Sequence, residues 1–293
     1  MDSFPQCHID SIPKEIIDKI IDEAADLFDD KKAKHHILGT ISVTWKRMTP
    51  RAQDHLFKNI TFYGNSGLNG WCDARQDRRT RKESGRFDVS DPVRAVKGIT
   101  YIVLTGDGAL GARARECLGE FTKVKKLTMI DHSSDGEQRL SESAVGKALK
   151  EALGDRIQFL RLTLFELDVN DFVSYLLFFK HLDHLEIDGI SFKPGDLLQD
   201  QTFPKFKGVL RLNPMISTFR EVIEMLTSIP TKMAYSHIIL GSGVVTMKEV
   251  GGGDCLRPFL LKSQDTLEIL DIPSESILSH IGCAQGLIAI CLY

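Results

Sequence analysis

One short pattern recurs along the chain after residue 92: an apolar residue, two variable positions, Leu or Ile, one variable position and a second apolar residue. The clear copies are ITYIVL (99–104), VKKLTM (124–129), IQFLRL (157–162), LDHLEI (182–187) and LEILDI (267–272), and weaker copies are KGVLRL (207–212) and YSHIIL (235–240). The central aliphatic residues are 25, 33, 25, 25, 28 and 32 residues apart: Ile102, Leu127, Leu160, Leu185, Leu210, Ile238 and Leu270. Intervals of that length hold one strand and one helix, so the pattern predicts a repeat of strand-plus-helix units.

The segments between these copies favour helices. SESAVGKALKEALG begins with serines, carries apolar residues at Val145, Leu149 and Leu153, and closes on Gly154, as helices commonly do. Similar stretches are NDFVSYLLFFKHL, STFREVIEMLTSI and PFLLKSQ. We therefore predict an α/β fold in which residues 92–293 form an irregular leucine-rich-repeat solenoid, with parallel strands on one side and helices on the other.

The residues beside the predicted inward positions indicate that one face of the sheet is open to water. Five of the seven are polar or charged: Val103, Thr128, Arg161, Glu186, Arg211, Ile239 and Asp271. A parallel sheet covered on both faces would instead read as nearly continuous apolar runs. Aromatic rings and cations, which often carry binding energy at protein interfaces, occur on this face and one position earlier. We predict a substrate-binding face, as opposed to a surface without a ligand, made of Tyr101, Lys126, Phe159, Arg161, His184, Glu186 and Arg211.

The first sixty residues favour three helices. After Pro13, apolar residues recur at helical spacing at Ile16, Ile17, Ile20, Ile21, Ala24, Leu27 and Phe28. Two further stretches carry Ile37, Leu38 and Ile41, then Trp45, Met48, Leu56 and Phe57. A unit this small has too few apolar residues to be stable alone. We expect it to complete its core against the rest of the chain or against another protein.

These helices contain Ile12-Pro13 before Glu15-Ile16-Ile17, then Ile41-Ser42 before Trp45, then TPRAQDHLF (49–57). The combination resembles the F-box, in the form found in fungal F-box proteins. The resemblance implies that the three helices bind the Skp adaptor of a cullin-RING ubiquitin ligase through Ile12, Pro13, Ile16, Ile17, Ile20, Ile41 and Trp45. The chain departs from the family pattern in having Ile12 where leucine is usual, and in an insertion-like DDKKAKHH (29–36). The alternative is a helical cap on the following domain.

Residues 63–91 lose this periodicity and include the run RQDRRTRKESGR (75–86), which has a net charge of +4. We predict a charged, Gly-rich linker here, between an F-box-like unit at 10–62 and the repeat region at 92–293. A nuclear-targeting or phosphate-contacting patch is the alternative. The apolar end HIGCAQGLIAICLY (280–293) either folds back as a last buried strand or belongs to a shortened array.

Composition argues against several functional classes. The formal net charge is −3, so no overall field favours nucleic acid or an anionic membrane. The six cysteines are scattered without a C-x-x-C pair, which is typical of a reduced, intracellular protein. The longest apolar stretches are far shorter than the roughly 20 residues needed to span a bilayer. We expect a cytoplasmic or nuclear protein with no membrane or nucleic-acid partner, no metal and no cofactor.

A glycine motif supports a different functional class, a nucleotide-binding enzyme. Gly106, Gly108 and Gly111 follow a predicted strand with the G-x-G-x-x-G spacing of dinucleotide-binding loops, and Asp131 comes twenty residues later. However, polar residues alternate along the next strand, VKKLTMID (124–131), where a doubly wound sheet is apolar. The F-box resemblance, together with the repeat region, instead implies a non-enzymatic substrate-recognition adaptor of a Skp/cullin/F-box ubiquitin ligase, and this is the function we predict. An NAD-type nucleotide-binding enzyme and a repeat scaffold unconnected to ubiquitin are the alternatives.

Overall fold

The computed structural model describes residues 12–28, 30–44, 47–83, 92–104, 109–132, 143–193, 207–213, 218–229, 233–241, 253–272 and 289–292. The helices in these ranges are α1 (Lys14–Asp26), α2 (Lys31–Thr44), α3 (Thr49–Leu56), α4 (Gly64–Glu83), α5 (Ala112–Gly119), α6 (Ala144–Leu153), α7 (Val169–Leu176), α8 (Phe219–Ser228), α9 (Gly253–Leu261) and a 3-10 helix (Pro92–Ala95). The strands are β1 (Asn59–Tyr63), β2 (Gly98–Val103), β3 (Lys126–Asp131), β4 (Phe159–Thr163), β5 (Glu166–Asp168), β6 (His184–Asp188), β7 (Ser191–Lys193), β8 (Lys207–Asn213), β9 (Ala234–Leu240), β10 (Ile269–Ile272) and β11 (Ala289–Leu292). Within the same ranges, no helix is both long and apolar enough to cross a bilayer.

Nine of the described strands form one sheet, in the order β1-β2-β3-β4-β6-β8-β9-β10-β11. Neighbouring strands are parallel throughout, and β5 pairs with β7 in a separate short sheet. The predicted α/β class with parallel strands is therefore confirmed. The C-terminal apolar segment supplies β11, which extends the sheet beyond β10. Strand order follows chain order without the reversal that creates the ligand crevice of doubly wound sheets.

Two rows of buried apolar side chains line the core side of the sheet. Strand register brings together the predicted central residues Leu127, Leu160, Leu185, Leu210, Ile238 and Leu270, each at most 1% exposed. The second row, two residues further along each strand, is Met129, Leu162, Ile187, Leu212, Leu240 and Ile272. Since alternate residues of a strand point to opposite faces, the residues between these rows form the outer face of the sheet.

The register of β2 differs by one residue from the predicted one. Ile99 and Tyr101 are buried on the core side, whereas Ile102 pairs with Ile130 on the outer face. Five of the six residues in ITYIVL are apolar, so both alternations fit, and a shift of one residue moves every side chain to the other face. The predictions that Tyr101 belongs to the substrate-binding face and that Val103 points outward are therefore wrong. Val103 packs partly against the core.

Successive units are joined by a backbone carbonyl that lies just before a strand. Four such carbonyls repeat along the chain, at Lys58, Lys97, Lys125 and Gln158. Each oxygen accepts two N–H groups from the start of the next strand of the large sheet, with N···O distances of 2.8 to 3.2 Å. This arrangement gives backbone groups in the turns defined partners. The series starts at Lys58, and β1 is the first strand of the sheet. Most of β1 falls within the predicted helical unit at 10–62.

Most of the predicted linker at 63–91 is the helix α4, which packs against β1, β2 and α5. Its buried side chains include Leu68, Cys72 and Arg75, spaced so that they share one helix face. Only one of these three is a large aliphatic residue, so the segment has little apolar periodicity in sequence. Residues 84–91 of the predicted linker lie outside the described residues.

Helices α1, α2 and α3 have a small core of their own. Its buried members are Ile17, Ile21, Ala25, Leu38, Met48 and Ala52, with Ile12, Ile41 and Leu56 partly buried against them. The Thr49 hydroxyl donates to the Ser42 carbonyl at 2.7 Å and joins α3 to α2. Helix α3 also contacts the 3-10 helix before β2. The N-terminal unit thus fills its interior with its own side chains.

The predicted insertion DDKKAKHH (29–36) is mostly the beginning of α2. The Asp30 carboxylate accepts the backbone N–H groups of Lys32 and Ala33 at 3.1 and 3.2 Å, which is the hydrogen-bonding role of a helix N-cap. Helix α2 therefore starts at Lys31, and the lysines and histidines of this run lie within it. Asp29 is outside the described residues.

We expect Gly208→Ala to destabilise the sheet. Gly208 has a φ of +77°, and a Cβ placed there would lie 2.0 Å from the Asp183 carbonyl oxygen. The alanine must push β8 away from the turn before β6, at an expected cost of more than about 1 kcal/mol. Urea denaturation followed by far-ultraviolet circular dichroism measures this loss.

Gly70→Ala is the matched control, because no atom lies within 4 Å of a Cβ at that position in α4. It should raise stability by about 0.4 to 1 kcal/mol. An unchanged denaturation midpoint for Gly208→Ala would contradict the close approach of β8 to Asp183.

Candidate functional site

An apolar stripe is exposed on α1. Ile16 and Ile20 are 49% and 48% exposed, and Leu27 directly after the helix is more exposed still. At 3.6 residues per turn the three side chains fall within about 40° of one another around the helix axis. We call these three residues the α1 apolar stripe. Large exposed apolar groups clustered on one surface are a mark of interaction sites.

The predicted adaptor-binding residues divide between this surface and the small core. Pro13, Ile16 and Ile20 are exposed, whereas Ile17 is fully buried. One helical step turns a side chain by about 100°, which carries Ile17 from the stripe into the core. The prediction that Ile17 contacts a partner directly is therefore wrong. Ile12 and Ile41 are partly buried against the same core, and Trp45 lies outside the described residues.

A charge cluster fixes α1 against α3 behind this stripe. Arg51 donates two hydrogen bonds to the Asp22 carboxylate at 2.6 and 2.7 Å, and the His55 ring lies 2.7 Å from the same carboxylate. These hydrogen bonds, first from Arg51 and then from His55, hold the pKa of Asp22 well below its ordinary value of 3.8. The carboxylate thus stays charged over the physiological range and holds the two helices in register.

Six of the seven predicted substrate-binding residues lie together on the outer face of the sheet. Strand register aligns Lys126, Phe159 and His184 in one row, and Arg161, Glu186 and Arg211 in the next. Four adjacent strands, β3, β4, β6 and β8, supply them. Tyr101 is the exception, for the reason given above.

Ion pairs connect the second row. Glu186 is only 7% exposed, and its Oε1 lies 3.7 Å from Arg161 and 3.6 Å from Arg211. Arg161 also pairs with Asp188, whose other oxygen accepts a hydrogen bond from Asn213 at 2.8 Å. A buried carboxylate is costly unless paired, so the two arginines offset the burial of Glu186, and Glu186 in turn helps to position both arginines.

The first row is an aromatic stack. The Lys126 ammonium lies 4.1 Å from the centre of the Phe159 ring, and that ring stacks on His184 with 4.3 Å between ring centres. Burial lowers the pKa of His184 below its ordinary value of 6.5. The ring is therefore neutral at pH 7 and forms part of a flat, mainly apolar platform. Further along the face, the His237 ring lies 2.7 Å from the Asp271 carboxylate.

A groove of about 340 Å³ lies beside these rows and crosses β1 to β4. The residues lining it include two cations and no carboxylate: Asn59, Gly98, Ile99, Thr100, Lys126, Thr128, Ile130, Arg161 and Thr163. Two buried atoms at its wall, Arg161 Nε and Thr163 Oγ1, have no hydrogen-bond partner within the described chain. The groove is therefore suited to a polar or anionic group that accepts hydrogen bonds.

Several residues of the outer face and its groove are absent from the predicted substrate-binding face. Asn59 was missed because β1 was not predicted. Thr100 was missed because the register predicted for β2 was wrong. Asp188 and Asn213 follow the repeat pattern by only one residue, and their alignment at equivalent strand ends was the available signal.

The glycine motif of the nucleotide-binding alternative is only partly described. Gly106 and Gly108 lie outside the described residues. The Gly111 N–H at the start of α5 donates to Asn69 Oδ1 at 3.0 Å, and Asn69 Nδ2 donates to the Ala109 carbonyl at 3.2 Å. This end of α5 is thus engaged by a side chain of α4, and the Gly111 N–H is not free to bind a phosphate.

In the part of the chain that the structure describes, no cluster of three or more histidine, cysteine, aspartate or glutamate side chains could hold a metal ion. No family model matches the chain, and no curated protein and no solved structure matches it either.

We expect Asp22→Asn to loosen α1 at neutral pH but not in strong acid. A carboxylate whose pKa is lowered by folding stabilises the fold above its ordinary pKa near 4, and this contribution disappears as pH falls through the folded value. Since both Asp22 and Arg51 are more than one-third exposed, solvent screening limits the effect to about 1 kcal/mol. Hydrogen exchange of α1 amides in the whole chain, at several pH values, measures it.

Asp18→Asn is the control, because Asp18 pairs with the exposed Lys14 within the same helix. It should leave exchange in α1 nearly unchanged. Equal protection of the Asp22→Asn variant and the unaltered chain at pH 7 would show that the cluster does not hold α1.

Proposed function

We propose that this protein is a substrate-recognition adaptor of a Skp/cullin/F-box ubiquitin ligase. In this proposal α1, α2 and α3 dock the Skp adaptor, and the outer face of the sheet recruits the protein that receives ubiquitin. The observation that carries the proposal is the exposure of Ile16 and Ile20 on α1, at two positions of the sequence pattern that resembles the F-box.

The N-terminal unit supports docking in two ways. Its interior is filled by its own side chains, so the exposed isoleucines are not needed to complete that core. The Asp22 cluster fixes α1 against α3, so the α1 apolar stripe is presented on an ordered support. Apolar contacts made by an already ordered surface lose less entropy on binding.

We further propose that the sheet is part of an irregular leucine-rich-repeat solenoid. The repeated turn carbonyls support this, as does a conformation shared by two equivalent positions. Leu164 and Gly189 follow β4 and β6 at a 25-residue interval, and both have a φ of +62°. Their N–H groups donate to the Asp188 and Asn213 carbonyls at 2.9 and 3.0 Å. Each unit thus repeats the backbone path of its neighbour.

The outer face has the chemistry of a protein-binding surface. It combines an aromatic platform at Phe159 and His184 with arginines held by Glu186, and such aromatic and arginine side chains often dominate interface energies. The neighbouring groove, with Lys126, Arg161 and threonine hydroxyls, favours an acidic side chain of the bound segment.

This function requires no catalytic group in the chain. Holding a substrate and a ligase on one scaffold raises their effective concentration, which accelerates transfer between them. Such an adaptor would act in the cytoplasm or the nucleus, where its ligase partners operate.

We expect Ile16→Glu with Ile20→Glu to abolish binding of a purified fungal Skp adaptor. Losing two half-exposed isoleucines and burying two charges should weaken the complex by at least about 100-fold. Biolayer interferometry with the whole chain measures the affinity, and circular dichroism verifies that the variant is folded.

Leu261→Glu is the matched control, since Leu261 is 51% exposed and lies on α9, far along the chain. It should bind as the unaltered chain does. Absence of binding by the unaltered chain would overturn the adaptor proposal and leave the repeat scaffold. Full binding by the double variant would move the docking site away from the α1 apolar stripe.

A further inference from the structure

Two cysteines meet between the helices that flank β2. Cys72 lies on α4 and Cys117 on α5, and both are buried, at 6% and 5% exposure. Each thiol shifts the pKa of the other, so the two side chains lie close together. Both are free thiols in this structure, so contact exists without a covalent bond. The helices that carry them, α4 and α5, pack together.

An arginine accompanies the pair. Arg75, one turn after Cys72 on α4, is 6% exposed, and its Nη1 lies 3.3 Å from Cys117 Sγ. Its Nη2 pairs with Glu120 at the end of α5. Placing a guanidinium inside an apolar core is costly unless it has charged or hydrogen-bonding partners. Two cysteines serving only as core residues would not need a cation beside one of them.

The two thiols are not equivalent. Hydrogen bonding from Cys72, together with the charge of Arg75, lowers the pKa of Cys117, although burial acts in the opposite direction. The same hydrogen bond and burial raise the pKa of Cys72. Thiolates, not thiols, are the nucleophiles in oxidation and disulfide chemistry. Cys117 is therefore the attacking sulfur, and Cys72 is the thiol that resolves the intermediate.

We propose that Cys72 and Cys117 form a reversible redox pair, which hydrogen peroxide converts to a disulfide that ties α4 to α5. This is a modification site independent of the adaptor function. Arg75 is a positioning residue that favours the thiolate of Cys117.

The chemistry balances in two steps. The Cys117 thiolate attacks one peroxide oxygen, the O–O bond breaks, and the departing hydroxide takes a proton to become water; Cys117 is then a sulfenic acid. The Cys72 sulfur attacks the Cys117 sulfur, the S–O bond breaks, and the departing hydroxide takes the Cys72 proton. Two thiols and one peroxide thus give one disulfide and two waters. A dithiol such as dithiothreitol reverses the link by exchange.

Peptide mapping of the full chain tests the proposal. After treatment with hydrogen peroxide and blocking with N-ethylmaleimide, trypsin should release NITFYGNSGLNGWCDAR (59–75) and ECLGEFTK (116–123), each with one cysteine. We expect these two peptides to be linked, and the link to disappear with dithiothreitol. Cys255→Ser is the control and should leave the link intact. Thiols at 72 and 117 that stay reduced while other cysteines react would overturn the proposal.

Two variants test the role of each residue. Cys72→Ser should leave Cys117 as a sulfenic acid that dimedone traps. Arg75→Gln should slow disulfide formation about tenfold, because the thiolate loses its cation. If Arg75→Gln does not fold, Glu120→Gln serves instead and should increase the rate by freeing the arginine charge. A rate that none of these substitutions changes would overturn the assignment of Arg75.

Discussion

The stacking of units through the turn carbonyls organises the rest of the structure. Each carbonyl at Lys58, Lys97, Lys125 and Gln158 takes two N–H groups from the next strand, so the strands must stay parallel and in step. In-step strands place the aliphatic residues of successive units side by side, and the two inner rows follow from that alignment. One face of the sheet is thereby assigned to the core.

On the outer face, polar side chains of the described strands satisfy one another. Glu186 pairs with Arg161 and Arg211, and Asp188 pairs with Arg161 and accepts a hydrogen bond from Asn213, across three strands. The same interactions hold the arginines in fixed orientations. Side chains already held in place lose little freedom on binding, so the network that stabilises the sheet is also compatible with the recruitment proposed for this face.

The evenly spaced central strands could be predicted from sequence. The register of β2 and the helix α4 could not. Leu160, Leu185 and Leu210 are spaced by 25 residues, and their register and outer neighbours follow directly from that spacing. ITYIVL is apolar at nearly every position, so only packing decides which alternation is buried. Helix α4 hides its periodicity because a cysteine and an arginine occupy its buried face beside Leu68.

The groove was not predicted, because it crosses β1, which was not predicted, and β2, whose predicted register was wrong. Its other lining residues lie on β3 and β4. Its threonines carry no motif of their own. Thr100 comes to lie beside the outer-face residues of β3 only once the strand order and register are known. The outer surface of a sheet made by repetition is therefore harder to predict at its first unit than at its centre.

Helix α1 shows what intramolecular packing alone leaves unexplained. A helix that packs only within its own fold needs one apolar stripe, and Ile17, Ile21 and Ala25 supply it. Ile16, Ile20 and Leu27 form a second stripe, turned about 120° from the first, and they contribute exposed apolar area where polar residues would favour solubility. The small core is complete without them. Packing within the described residues therefore accounts for the first stripe and leaves the second exposed.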